Sequence, residues 1–201
     1  MDRPIEASPY FKNRLSLRSG NATLELAVGH TLFSTAAVDA GSRRLLKSLA
    51  DIEQPSSGLD LGCGYGPLGL ALQARFPDTN LHMVDRDALA VRFARANARD
   101  NGMSESSVYG SVGYGAVDQK FDLVVSNVPG KAGDPVITDL IVQAQRALEP
   151  SGRAAIVVVS PLADLIATAL ISGNARQLLR IDGNNHSVFH FDFAEAAAED
   201  P

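Results

Sequence analysis

A chain of 201 residues, 45% hydrophobic and 20% charged, has the length and balance of one ordinary globular domain with a sizeable core. No apolar run reaches the ~18 residues of a membrane span, and the start, MDRPIEASPYFKNR, lacks the apolar centre of a secretory signal, which points to the cytoplasm. The single cysteine excludes an internal disulfide and a cysteine metal cage, and a net charge of −5 argues against a dedicated nucleic-acid binder.

The charge is uneven. Residues 1–50 carry Arg3, Lys12, Arg14, Arg18, Arg43, Arg44 and Lys47 against Asp2, Glu6, Glu25 and Asp39, a basic face that can contact phosphate or stand simply solvated. Leu15, Leu17, Leu24, Leu26 and Val28 flank the turn Ser19-Gly20-Asn21, which predicts a hairpin. The expected division is an N-terminal extension and hairpin over 1–32, a main domain over 33–194 and a frayed tail over 195–201. Residues 33–42 lead into a helix with Leu45, Leu46 and Leu49 on its apolar face, and Asp39 reads as its N-cap.

The stretch Leu59-Asp60-Leu61-Gly62-Cys63-Gly64-Tyr65-Gly66-Pro67-Leu68-Gly69 then carries a strand into a helix through a turn with almost no side chains. Glycine there permits positive φ and close backbone approach to a ligand, and Pro67 suits a first helical position whose N–H groups favour anions. Cys63 reads as a small turn residue. Gly64-x-Gly66-x-x-Gly69 with Asp85 satisfies the dinucleotide pattern. Alternatively, Gly62, Gly64 and Gly66 preceded by Asp60 suit a ligand with an ammonium, because that carboxylate would repel a pyrophosphate.

Leu68 to Phe76 reads as a helix broken by Pro77-Asp78, and strand Leu81–Val84 ends at Asp85, placed to accept ribose hydroxyls. Arg86 follows, and Asp87 can cap the next helix, on which Arg92, Arg95 and Arg99 share a face that is solvated or turned to RNA. Asn101-Gly102 ends that helix. Val108-Tyr109 is a third strand with Ser111 at its end, and Phe121–Ser126 a fourth that delivers Asn127. A helix from about 135 to 148, a turn at Pro150-Ser151-Gly152 and an unalternating strand Ala154–Val159 come next. A helix over Leu162–Ile171 leads to a closing hairpin, Gln177–Ile181 with Ser187–Phe193. The sum is an α/β, doubly wound, mostly parallel seven-stranded sheet with the last strand antiparallel. The four histidines are scattered apart from His186 and His190, so no metal site is expected.

The segments FSTAAVDAGSRRLL (33–46), LDLGCGYGPLGLAL (59–72), MVDRDALAVRFARANARDNG (83–102) and FDLVVSNVPGKAG (121–133) resemble the class I S-adenosylmethionine-dependent methyltransferases, in the small-domain branch that includes the rRNA guanine-N2 methyltransferases. The resemblance implies a Rossmann-like methyltransferase fold over 33–194 and S-adenosylmethionine as cofactor. It implies cofactor contacts from Asp60, Gly62, Cys63, Gly64, Gly66, Asp85, Arg86, Ser111 and Asn127, and catalytic roles for Asn127 and Pro129. The implied reaction is N-methylation of an exocyclic amine, with rRNA guanine the first choice. A small-molecule or protein amide acceptor, or a cofactor-binding module without catalysis, are the alternatives. Relatives read Asn-Pro-Pro-aromatic, the aromatic stacking on the base, where this chain has Asn127-Val128-Pro129-Gly130. Tyr65, Tyr114 and Phe33 are the aromatics available as substitutes, and Lys131 can meet phosphate or an acidic substrate.

Overall fold

The computed structural model describes residues 4–32, 34, 36–103 and 107–193; Phe33 and the tail expected over 195–201 lie outside them. The chain begins with a hairpin of β1 (Phe11–Ser19) and β2 (Ala22–Gly29), turned at Gly20 with φ +56°. Helices and strands then alternate: α1 (Ala40–Ser48), β3 (Ser57–Leu61), α2 (Pro67–Arg75), β4 (Asn80–Asp85), α3 (Ala88–Asp100) and β5 (Ser107–Gly110). β6 (Phe121–Asn127), α4 (Asp134–Ala147), β7 (Leu148–Val159), α5 (Ala163–Ser172), β8 (Ala175–Ile181) and β9 (His186–Phe193) complete the chain. Seven strands form one sheet in the order β5-β4-β3-β6-β7-β9-β8, parallel except that β9 runs against both its neighbours. Strand order reverses between β3 and β6, the switch point where open α/β sheets bind ligands beyond the carboxyl ends of the strands.

Alternation along each strand sorts the core into two layers. Leu59 and Leu61 of β3, Val124 of β6 and Ile156 of β7 pack against Ile137 and Ile141 of α4 and Ile166 and Leu170 of α5. On the opposite face Leu123, Val125 and Val157 meet Leu45 and Leu49 of α1 and Leu68 and Leu72 of α2. Each such side chain, fully buried, contributes about 1.5–3 kcal/mol. The hairpin packs Leu17, Leu24 and Leu26 onto Leu70 of α2 and Phe93 and Ala94 of α3. No helix among the described residues is long and apolar enough to cross a membrane.

Pro150-Ser151-Gly152 does not separate two elements as the sequence suggests; it bulges out within β7. Leu148 stands opposite Phe121 and Arg153 opposite Leu123, so residues 149–152 loop out against one partner residue. A Cβ at Gly152 would lie 2.7 Å from the Phe121 carbonyl oxygen, so only glycine allows the approach.

Two buried polar side chains fix the layers relative to one another. Asn97 lies on the apolar stripe of α3, fully buried. Its Oδ1 accepts from the Ala27 N–H at 2.7 Å, and its Nδ2 donates to the carbonyls of Ala27 at 3.0 Å and Tyr65 at 2.8 Å. One amide thereby ties hairpin, helix and glycine turn together. Asp60 alternates with Leu59 and Leu61, so its side chain points toward α2; it is 1% exposed and accepts from the Gly69 N–H at 2.8 Å. A Cβ at Gly69 would lie 2.6 Å from the Met83 sulfur and 3.0 Å from the Asp60 carboxylate, which explains a glycine inside the helix. Burial, countered by the Gly69 bond and reinforced by the nearby Asp85 charge, raises the Asp60 carboxyl to about 7.

Replacing Asn97 with leucine leaves three buried backbone groups without partners. A loss of about 2–4 kcal/mol and a fall in Tm of about 4–12 °C are expected by calorimetry. For Asp60, the folded chain holds the proton more tightly than the unfolded chain, whose carboxyl titrates at ~3.9. Protons are therefore released less readily from the folded state between about pH 4 and the folded value of about 7, and Asp60 lowers stability as pH rises through that window. Asp60→Asn keeps an acceptor for Gly69 and carries no charge. Urea titrations should show the variant gaining on the parent across the window, by at most about 1.4 kcal/mol per pH unit.

Candidate active site

Beyond β3 the backbone takes the left-handed conformation at Gly62, Gly64 and Gly66, with φ of +73°, +57° and +91°. Side-chain-bearing residues adopt it only under strain, so the turn requires these glycines. The Gly62 and Cys63 N–H groups both donate to the Val84 carbonyl at 2.9 Å. The Gly64 N–H donates to Asp85 Oδ2 at 2.8 Å. The turn is thus fastened to the end of β4 on one side. On the other it is open, since a Cβ at Gly62 or Gly64 would meet nothing within 4 Å. Pro67 is the first residue of α2, whose positive end faces this cradle.

The residues singled out in the sequence divide sharply here. Asp85 is half-buried, and its Oδ1 accepts from the Asp87 N–H at 2.9 Å. A carboxylate has about four acceptor positions, so two remain for hydroxyl groups. Asp87 caps α3, accepting from the Leu89 N–H at 2.8 Å, and Arg86 beside it is exposed. Ser111 sits at the same edge, its N–H on the Asp85 carbonyl at 2.9 Å. Its hydroxyl is committed to the loop, donating to the Gly113 carbonyl at 2.7 Å and accepting from the Ala116 N–H at 3.0 Å. With its N–H on Asp85 as well, Ser111 has only its backbone carbonyl left to offer a ligand. Cys63 is buried, and desolvation with the Asp60 and Asp85 charges pushes its thiol well above the ordinary value, so it is a turn residue without nucleophilic character. The Asp60 carboxylate, expected to meet an ammonium, is turned to the base of α2 instead.

Asn127 ends β6 on the neighbouring strand. The register pairs Asp60 with Val125, and the Ser126 hydroxyl donates to the Leu61 carbonyl at 2.8 Å. Asn127 is the next and last residue of β6, so it ends that strand beside the end of β3 where the glycine turn begins. Its Nδ2 donates to Asp39 Oδ2 at 2.7 Å and to the Ser42 hydroxyl at 3.0 Å. Asp39 also caps α1, accepting from the Ser42 N–H at 3.0 Å. Val128 is buried and its N–H donates to the Val157 carbonyl at 2.9 Å, a bond that proline could not make. Pro129 is exposed and opens a turn in which its carbonyl accepts from the Ala132 N–H at 3.0 Å, with Lys131 exposed at the bend. A Cβ at Gly130 would lie 3.1 Å from Val159 Cγ2, so Val159 crowds the place where an aromatic would project.

Of the substitute aromatics, Tyr65 and Tyr114 are engaged elsewhere, and Phe33 lies outside the described residues. Tyr65 is 3% exposed, with its hydroxyl on the Ser34 carbonyl at 3.4 Å and its acidity suppressed by burial to about 12. Tyr114 packs into the layer beneath α4. Of the basic groups, Arg14 is held between Glu6 and Asp100, and Arg95 of the α3 row donates to the Val108 carbonyl at 2.7 Å. His190 is buried against Ser48 Oγ at 2.8 Å, and desolvation with the Arg153 charge lowers it to about 4, so it stays neutral and ties α1 to β9. Among the described residues no group of three or more His, Cys, Asp or Glu could hold a metal ion. The sequence reading passed over two residues that shape the site, Ser42 and Asn97. The signal for Asn97 was a lone amide on the stripe of Ala90, Phe93 and Ala94.

The sequence pattern of the methyltransferase small domain family matches residues 23–184. The uncharacterized protein YbxB of Bacillus subtilis is 35% identical over 149 residues, which cover 73% of this chain and 74% of that protein. Ribosomal RNA small subunit methyltransferase C of Haemophilus influenzae is 32% identical over 164 residues, 78% of this chain and 49% of that protein. The chain thus spans about half the length of the ribosomal RNA methyltransferases it matches. Among solved structures, the T. Thermophilus 16S rRNA N2 methyltransferase RsmC, in complex with AdoMet and guanosine, superposes with a TM-score of 0.76 at 22% identity, over 92% of this chain and 51% of that one. With the match running from inside β2 to beyond β8, through the glycine turn and Asn127, the chain belongs to the methyltransferase small domain family.

Proposed function

We propose that this protein is an S-adenosylmethionine-dependent N-methyltransferase whose acceptor is an exocyclic amine, with guanine of ribosomal RNA the first candidate. Asn127 carries the reading: an amide beside an open glycine cradle, with its own N–H groups occupied and its Oδ1 left to accept from an amine. Ribosomal RNA as the acceptor class is supported by the 32% identical relative from Haemophilus influenzae, and cytoplasmic work follows from such a substrate.

The residues present fit the cofactor. Gly62 and Gly64 leave room where side chains would stand, and the start of α2 suits the carboxylate of its amino-acid end. Asp85 holds two acceptor positions for ribose hydroxyls, and the backbone at Ser111 is at hand for adenine. When bound, S-adenosylmethionine supplies an electrophilic methyl group. The chain's part is alignment and exclusion of water. Asn127 Oδ1 accepts one amine hydrogen, a neighbouring backbone carbonyl takes another, and the nitrogen lone pair is turned to the cradle. Val128 and Pro129 set the loop so that this amide does not drift. The domain division that goes with this reading is a hairpin accessory over 1–32 and the methyltransferase unit over 33–194.

A protein or small-molecule amine is the second reading, favoured by Gly130 in place of a stacking aromatic, since such stacking is worth about 1–3 kcal/mol per base. Tritiated-methyl transfer to small ribosomal subunits, naked ribosomal RNA and extracted protein separates the two. Calorimetry should find S-adenosylhomocysteine bound and NAD not, and Asp85→Ala should weaken that binding by about ten-fold or more, as buried acceptors of ribose hydroxyls are lost. Asn127→Ala should lower kcat about 10²–10³-fold with cofactor affinity little changed. If only its Tm fell, Asn127 would be a structural loop residue.

A further inference from the structure

We infer that Asp39 is a positioning residue that sets which way the Asn127 amide faces, an inference resting on the amine-methylating role proposed for Asn127. An asparagine amide has two nearly equivalent orientations, and only hydrogen bonding decides between them. Here the group 2.7 Å from Asp39 Oδ2 must be Nδ2, because a carboxylate accepts and does not donate. Flipping the amide would set Oδ1 against the carboxylate and lose the Asp39 bond, whereas the Ser42 hydroxyl at 3.0 Å can donate as well as accept, so Asp39 alone decides the orientation. The amide therefore presents only its carbonyl to the cradle, which selects acceptors that bring an N–H or O–H and disfavours groups that only accept.

Asp39 can do this because its place is itself fixed. The same Oδ2 caps α1 through the Ser42 N–H at 3.0 Å, and α1 is anchored by fully buried Leu45 and Leu49. Gly41 keeps the approach open: a Cβ there would lie 2.7 Å from Asp39 Oδ2 and 2.8 Å from the His186 ring. The helix cap and the site amide thus share one oxygen, across 88 residues of sequence.

Asp39→Ser separates the two tasks. Serine caps helices as well as aspartate, while its shorter side chain does not reach Asn127. The variant should keep its Tm and S-adenosylhomocysteine affinity, and its kcat should fall about ten-fold or more with KM for the acceptor little changed. Asp39→Asn, which keeps an oxygen at the same reach, should restore activity to within a few-fold of the parent. In an Asn127→Ala background Asp39→Ser should add no further loss, because it acts only through Asn127. The Asn127 side-chain amide protons, identified by their absence from the Asn127→Ala spectrum, should exchange with water faster in Asp39→Ser. Multiplying losses, or unchanged exchange, would overturn the role given to Asp39. If the parent transfers methyl to no acceptor, the methyltransferase reading alone fails, and the exchange rates still decide whether Asp39 fixes the amide.

Discussion

One carbonyl organises the site. Val84 at the end of β4 accepts from two successive N–H groups, those of Gly62 and Cys63, and so pins the turn leaving β3 to the neighbouring strand. The backbone bends there through Gly62 at φ +73° and stays left-handed at Gly64 and Gly66, conformations that glycine adopts without strain. Asp85, the next residue, closes the arrangement by taking the Gly64 N–H. Once the turn is fixed at both points, the start of α2, the open side of the cradle and the direction of the Asp85 carboxylate are fixed with it. The Asp85 carboxylate and the cradle are then a single unit, held by hydrogen bonds between the end of β4 and the turn leaving β3.

The same economy recurs around it. Asn97 ties the hairpin to the turn through the Tyr65 carbonyl, and Asp39 ties α1 to the end of β6. Each is a polar side chain with short, satisfied bonds in a place otherwise filled by apolar groups. Such groups add specificity of position at the cost of desolvation, and Asp60 shows that cost: one N–H bond does not offset its burial, and its carboxyl stays shifted upward. What this carboxylate does is set the distance between β3 and α2, with Gly69 shaped to receive it.

β3 and β4 were legible in the sequence because each is a short, largely apolar run closed by a glycine or an acid, and the glycine turn announced the ligand edge. Asp60 was misplaced for a reason that strand parity could have shown: it alternates with Leu59 and Leu61, so it faces α2 while they face α4 and α5. The bulge at Pro150 to Gly152 escaped because proline and glycine signal a break without saying whether a strand resumes in line. Ser111 and its hydroxyl could be placed at the edge, but its bonds to residues two and five further along depend on a loop path that no periodicity encodes. The link between Asp39 and Asn127 joins segments 88 residues apart, and nothing local to either predicts it.

The stretch Asn127-Val128-Pro129-Gly130 holds its loop in its own way. A proline after the asparagine would stiffen the loop; valine stiffens it differently, by burying its side chain and extending the β6–β7 ladder through its N–H. The orientation of Asn127 is then secured from the other side, by Asp39 and Ser42 at the start of α1, and does not depend on the missing proline. Among the described residues the missing aromatic has no such replacement: Gly130 abuts Val159, Tyr65 is buried, and Tyr114 packs, partly buried, against the core. Alignment and grip are separate contributions, since one acts on the reacting nitrogen and the other on the body of the acceptor. Under the amine-methylating role proposed above, a site whose described residues supply the first without the second takes its hold on the acceptor from contacts away from the reacting group, as a macromolecule held at many points allows.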